Sequence, residues 1–593
     1  MAACYCRRGL RALWAFLAVT VGLKGGSGVL DAAVVSTTYG DVRGSEFMTS
    51  GVVGNAVVDR VFTFKGIPYA APPVGDLRWR PPEDPVSWTS ERDATEFGPV
   101  CPQNPGEGPE PYPIFQEFVA RSNSTSEDCL FLNVYTPSVS DNANLPVMVW
   151  LHGGGMVRGS GDEYPAEIPT SLHNVVMVTI NFRLGNLGFL PTLDNDAPGN
   201  FGPLDAMKAL EWIQANIRNF GGDPDRVTIF GHSGGSWGVS LLVMSPLARG
   251  LFHRAISQSG VAGVPVTEKG DLTRTETLAR GLNCTTADYD AMMSCLRGKP
   301  GEAVKQGAAI TAVIGGTFLP ESPWDLMFRK DINNIDYLLG TVNNETAFVD
   351  DDGLTRQEFQ LQLPFSLRRI TAQYVGGTVD VLVQPVTDQY VDPGKWDDNI
   401  YLGFQFLQQG TDSVFAAPTV LMAQAAAEHG RVYQYEFQQD SNAFSWRPSY
   451  IMADHGDDVF YTFGIPLLRD DTGTSWKYNF TQEERDLSLD MMAYWVNFAT
   501  NGDPNDSTGS ARMRNMVSWP RYVTSSQSYL QLDVTSSADV KLREDLMTFW
   551  NEEVPRLLGK NVTRVGSGGN GGPSCSSHFI LALSLVCGLI TSI

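Results

Sequence analysis

Two short stretches hold the residue types that acyl transfer needs. In TIFGHSGGSWG, residues 228–238, Ser233 lies between Gly231 and Gly235 at the end of an apolar, strand-like run. A serine hydroxyl is a weak nucleophile near neutral pH. A site built on one must expose it, pair it with a base and aim amide donors at the developing oxyanion. The G-x-S-x-G spacing does the first of these, because the glycines let strand and helix come close while the serine takes the strained turn between them. The second stretch, HGGGM at 152–156, also follows an apolar run. Consecutive glycines can turn N–H groups toward a carbonyl oxygen, and losing one such donor typically lowers turnover roughly 100- to 1000-fold. For the base, His253, His429, His455 and His578 all lie downstream of Ser233, and nothing in their spacing chooses among them.

These residues require a scaffold that brings strand ends together. LPVMVWLHGGG (145–155) and VVMVTINFRLG (175–185) read as buried strands closed by glycine or polar residues. Between them and the serine, Met207, Leu210, Ile213 and Ile217 recur at helical spacing, a Gly-Gly-Asp-Pro stop follows, and RVTIF (226–230) reads as a strand. Strand, helix, strand, glycine elbow, helix is the order of an α/β fold, a large mostly parallel sheet flanked by helices.

The 593 residues are 42% hydrophobic and 18% charged, the balance of a globular chain. A net charge of −23 argues against nucleic acid as a partner, since phosphates are neutralised by clustered Lys and Arg. Residues 1–28 place Arg7, Arg8 and Arg11 before a short apolar stretch, the layout of a secretory signal peptide. No repeat or charge block divides residues 29–560, which read as one domain. Residues 561–578 are small and polar, and 579–593 are largely apolar. That order matches a GPI-attachment signal, with Ser567 as the attachment residue, whereas a spanning helix wants about 20 apolar residues. The expected location is therefore the cell surface, with plain secretion as the alternative. Of eight cysteines, Cys101, Cys129, Cys284 and Cys295 fall in the central domain, and in an oxidising compartment they allow three pairings. Glycosylation sequons stand at Asn123, Asn283, Asn344, Asn479, Asn505 and Asn561.

Across nearly the whole of this central part the chain resembles the type-B carboxylesterase/cholinesterase family of the α/β-hydrolase superfamily. The segments FKGIPYAAPPVGDLRWRPP, SEDCLFLNVYTP, NFRLGNLGF, FGGDPDRVTIFGHSGG, SPLARGLFHRAISQSG, ADHGDDVFYTFGIPLL and WVNFATNGDPN carry the likeness, in family order. The resemblance implies an α/β-hydrolase fold and a Ser-His-Glu triad of Ser233, His455 and Glu345. It also implies an oxyanion hole from the N–H groups of Gly154, Gly155 and Gly234. No metal or organic cofactor is implied; the partner is a small ester. The resemblance further implies disulfides Cys101–Cys129 and Cys284–Cys295 and structural ion pairs Arg78–Glu127 and Arg183–Asp205. Asn344 would abut the triad acid and be closed to a glycan.

Departures from the family separate its branches. Cholinesterases resemble one another in a glutamate before the nucleophile and a tryptophan that faces the choline cation; here His232 and Val119 stand at those positions, with Phe118 adjacent. Both point to a carboxylesterase of neutral esters over a cholinesterase, and His232 reads as a spacer. Gly234 replaces the family's usual alanine, which implies a looser elbow and lower turnover. An inactive neuroligin-like adhesion protein is the reading from another class, opposed by the intact triad. In the last helix Leu542, Leu546, Phe549 and Leu557 form one apolar face, either a homodimer contact as in relatives or a packing face on the same domain.

Overall fold

The computed structural model describes residues 33–49, 60–103, 124–194, 198–261, 265–305, 311–346, 352–371, 379–444, 447–448, 450–468, 479–508 and 516–560. Its centre is an eleven-stranded sheet. In chain order the strands are β1 (Ser45–Met48), β2 (Arg60–Pro68), β3 (Phe131–Thr136), β4 (Leu145–Leu151), β5 (Val176–Ile180) and β6 (Gly222–His232). They continue as β7 (Arg254–Gln258), β8 (Asp336–Val342), β9 (Val432–Phe437), β10 (Ser528–Leu532) and β11 (Ser537–Val540).

The spatial order is β11-β10-β9-β8-β7-β6-β4-β5-β3-β2-β1. Strands from β10 to β5 run parallel, and the flanking pairs are antiparallel. This is the α/β-hydrolase architecture expected from the strand and helix order. Parallel strands covered on both faces must be apolar on both, and every residue of β4 is buried. Alternation still assigns the faces: Val149 and Ile229 point into one core, Trp150 and Phe230 into the other, where their rings lie 4.7 Å apart.

Helices fill both faces. They include α1 (Glu167–His173), α2 (Phe201–Asn216), α3 (Gly234–Met244), α4 (Asp457–Thr462) and α5 (Gln482–Asn501). On α2 the expected stripe of Met207, Leu210 and Ile213 is buried, while Ile217 falls in the 3-10 turn Ile217–Phe220 that ends the helix at left-handed Gly221. A capping box starts α5: Thr481 Oγ1 accepts from Glu484 N and Glu484 Oε2 from Thr481 N.

Covalent and ionic ties hold the loops around the sheet. Cys101 bonds Cys129 and Cys284 bonds Cys295, the pairing implied by the resemblance, and each closes a short loop whose freedom the unfolded chain loses. Arg78 Nε donates to Glu127 Oε2 at 2.6 Å, and Arg183 donates to both Asp205 oxygens at 2.8 and 2.7 Å. Asn344 is fully buried, as its place beside Glu345 implied. Asn479 and Asn283 are both exposed. By contrast Asn505 Nδ2 donates to Asp503 Oδ1 and to Trp519 O, bonds that a glycan on that nitrogen would disturb.

The last helix divides its apolar residues. Leu542, Met547, Trp550 and Val554 are buried, Leu546 and Phe549 pack partly on the same core, and Leu557 is 37% exposed. Most of the face formed by Leu542, Leu546 and Phe549 is therefore used within the domain. The signal segment 1–28, Phe118, Val119, Asn123, Asn561, Ser567 and the tail to 593 lie outside the described residues. Among the described residues no helix is long and apolar enough to cross a membrane.

Candidate active site

Ser233 occupies the junction of β6 and α3 with φ 54° and ψ −120°, a conformation that side-chain-bearing residues rarely adopt. Strand and helix hold it there: Ser233 N donates to Gln258 O at 3.0 Å, and Trp237 N to Ser233 O at 2.9 Å. The glycines allow the approach. A Cβ at Gly235 would meet Leu151 O at 1.9 Å, and one at Gly231 would meet the same oxygen at 2.7 Å. The serine is thus pushed out at the carboxyl end of the parallel strands because its neighbours have no side chains to keep β4 away.

Of the downstream histidines, His578 lies outside the described residues, and among the other three His455 is the one beside Ser233. Its Nε2 lies 2.8 Å from Ser233 Oγ and its Nδ1 lies 2.5 Å from Glu345 Oε2. A carboxylate only accepts, so Nδ1 carries the proton donated to Glu345, and Nε2 is left bare to accept from the serine hydroxyl. Glu345 is held in turn: its Oε1 accepts from Val342 N at 3.0 Å and its own N donates to Thr411 Oγ1 at 2.9 Å. His253 and His429 stay away; His253 Nδ1 accepts from Val227 N, and His429 Nε2 contacts Lys330 O.

The electrostatics favour a basic imidazole. Burial, the largest single influence on His455, disfavours its cation, but the hydrogen bond and charge of Glu345, with Asp454 and Asp458, outweigh it and raise the pKa. Asp458 accepts from Tyr435 OH at 2.7 Å and from Gln258 Nε2 at 3.1 Å. Burial pushes its pKa up to about 6. Asp454 is pushed up to about 6 by burial as well, and its Oδ1 accepts from His455 N at 2.6 Å.

The glycine loop faces the elbow. Gly154 and Gly155 have φ values of 99° and 59°, so their amides follow a path closed to ordinary residues. Gly234 N is the first amide of α3, one that a helix leaves without an intrahelical partner. A Cβ at Gly234 would lie 2.8 Å from Gly155 N and 2.7 Å from Met156 N. The expectation of a looser elbow is thereby corrected: glycine here permits a tighter approach of elbow and loop. The sequence reading also passed over Met156, whose amide belongs to this cradle and whose φ is 61°. Beneath the loop, His152 stacks on Phe182 at 4.4 Å, and burial pushes its pKa down to about 4.

Thr411, Val342, Gln258 and Phe415 were likewise not singled out from sequence. They have no motif of their own; only their distance from Ser233, His455 and Glu345 reveals them. The ring of Phe415 lies 5.0 Å from that of His455.

The chain is similar to known proteins over most of its length. Residues 31–550 match the model of the carboxylesterase family. The chain is 37% identical to human cocaine esterase over 90% of its length and 94% of that protein. It is 37% identical to the medium-chain fatty acyl-CoA hydrolase precursor of Anas platyrhynchos over 88% of this chain and 93% of that one. Carboxylesterase 5A of Canis lupus familiaris is 36% identical over 94% of both.

Proposed function

The chain belongs to the carboxylesterase family and is a carboxylic-ester hydrolase, and we propose that Ser233, His455 and Glu345 carry out its reaction. Ser233 Oγ attacks the ester carbonyl as His455 Nε2 takes its proton. The oxyanion forms against the amides of Gly154, Gly155 and Gly234. His455 returns the proton to the departing alcohol, leaving Ser233 acylated. A water, deprotonated by the same imidazole, then attacks the acyl-enzyme and releases the acid. Glu345 holds the tautomer and stabilises the imidazolium without becoming protonated.

The observation that carries this reading is the unbroken line Ser233 Oγ, His455 Nε2, His455 Nδ1, Glu345 Oε2, with separations of 2.8 and 2.5 Å across its two contacts. Its test is mutational: Ser233→Ala should remove hydrolysis of p-nitrophenyl acetate while leaving the folded protein intact. Unchanged turnover would reject it. An adhesion role without catalysis predicts that the wild type, too, is inactive.

Neutral esters are the substrate class, because position 232 bears an imidazole where a carboxylate would attract a cation. Comparing butyrylthiocholine with an uncharged isostere tests this, and a strong preference for the choline ester would contradict it. The enzyme acts outside the cytoplasm, a reading supported by its two disulfides and by a relative described as a precursor. Residues 29–560 form the catalytic unit, followed by a GPI anchor at Ser567. Release from intact cells by phosphatidylinositol-specific phospholipase C is expected; retention would reject the anchor.

A further inference from the structure

The residue before the nucleophile is not a bystander. The ring of His232 lies against that of His455, centroids 4.5 Å apart and planes inclined at 43°. His232 is 8% exposed, and its Nε2 is buried without a hydrogen-bond partner among the described residues. It sits between the elbow and the glycine loop, since a Cβ at Gly153 would come 3.1 Å from His232 Nδ1. The backbone is fixed by its register with Gln258 on β7. The ring of Phe415 also lies 5.0 Å from that of His455, whose nitrogens face Ser233 and Glu345.

We propose that His232 is a positioning residue that packs against the ring of the base and, by remaining uncharged, sets how far into acid the triad keeps working. The proposal rests on the reading of His455 as the base. When His455 takes the serine proton, its cation forms 4.5 Å from the ring of His232. Burial, and secondarily that cation, hold the His232 pKa well below its ordinary value, so no second positive charge builds up there.

The charged groups around the pair are few. Glu345, beyond the end of β8, faces Nδ1. Asp454 accepts from the His455 backbone, and Asp458 on α4 adds its field. Asp457 on α4 is paired with Arg447. Asp412, in the segment that bears Phe415, is paired with Arg543. The glycine loop contributes His152, which burial keeps neutral, and Arg158 farther along. From β7 comes the uncharged Gln258. Position 232 is therefore a place from which a new charge would act directly on the imidazolium.

The experiment uses the full-length enzyme and two readouts from pH 5 to 9: kcat/KM for p-nitrophenyl acetate, and the rate of Ser233 phosphonylation by an alkyl fluorophosphonate, located by mass spectrometry. His232→Glu should raise the midpoint of the acid limb by about one pH unit, since a carboxylate at this distance stabilises the cation. His232→Gln, polar but uncharged, should leave the midpoint within about 0.3 units and slow the plateau rate only a few-fold. A His232→Glu enzyme labelled at Ser233 with an unmoved acid limb would overturn the proposal. Should that variant fail to fold, the wild-type limb decides: a one-proton slope supports a neutral His232, and a two-proton slope refutes it. Wild-type enzyme not labelled at Ser233 would instead reject the underlying triad.

Discussion

The backbone of Asn344 bridges that of Asp454 in parallel, one residue before Glu345 and one before His455. Asn344 N donates to Ala453 O at 3.0 Å. This contact brings two loops separated by 110 residues into register, and Nδ1 of the imidazole meets the carboxylate because the two chains leave the bridge side by side. Glu345 and His455 are thus positioned by backbone pairing at the end of the sheet, and their side chains need little freedom to find each other. Such preorganisation means that donors and charge are already in place when the oxyanion forms.

Replacing Glu345 with Gln tests the acid. The amide cannot hold the Nδ1-protonated tautomer in the same way, and kcat should fall by roughly 1000-fold with KM little changed. Because Glu345 raises the His455 pKa, the acid limb of any residual activity should also move to lower pH. Steady-state kinetics across pH checks both, and an unchanged kcat would remove Glu345 from the triad.

Gly234→Ala tests the tight elbow. The added methyl would stand 2.7 Å from Met156 N and 2.8 Å from Gly155 N, both backbone atoms that cannot swing aside. The glycine loop must retreat, taking its amides with it. We expect kcat/KM to fall at least about 10-fold, less than the roughly 100- to 1000-fold of losing one donor outright, because the amides are displaced and not removed. A variant as active as the wild type would show that the loop yields without cost.

How much of this was legible beforehand follows the range of each interaction. Ser233 and the glycine loop announce themselves because an exposed nucleophile and its oxyanion donors are built from adjacent residues. The buried strands around Val149 and Ile229 could be read from unbroken apolar runs. Glu345 and His455 could not be chosen by spacing, since the Asn344–Asp454 bridge that unites them is a tertiary event; the resemblance to a family chose them. Gly234 was misread for a related reason: whether a methyl fits depends on how closely residues 154–156 approach, and that distance is not written locally. His232 reads as a spacer until its ring is placed against His455.

His173 on α1 offers a test of stability. It is 7% exposed, neither ring nitrogen has a hydrogen-bond partner among the described residues, and burial pushes its pKa down to about 3. In the unfolded chain the group titrates near its ordinary value, about 6.5. Its contribution is therefore complete above that value and is lost as the pH falls toward the folded pKa. Between pH 7.5 and 5 the unfolding free energy of His173→Leu should improve relative to wild type by about 2 kcal/mol. Urea unfolding at the two pH values measures this difference, and parallel curves would contradict it.

The most direct test is to treat the folded wild-type enzyme at pH 8 with an alkyl fluorophosphonate and locate the adduct by peptide mass spectrometry. One adduct per chain is expected, on Ser233, formed in step with loss of ester hydrolysis and strongly slowed in His455→Ala. Full inactivation with the label elsewhere, or unchanged labelling of Ser233 without the imidazole, would contradict the Ser233–His455 pair as the catalytic centre.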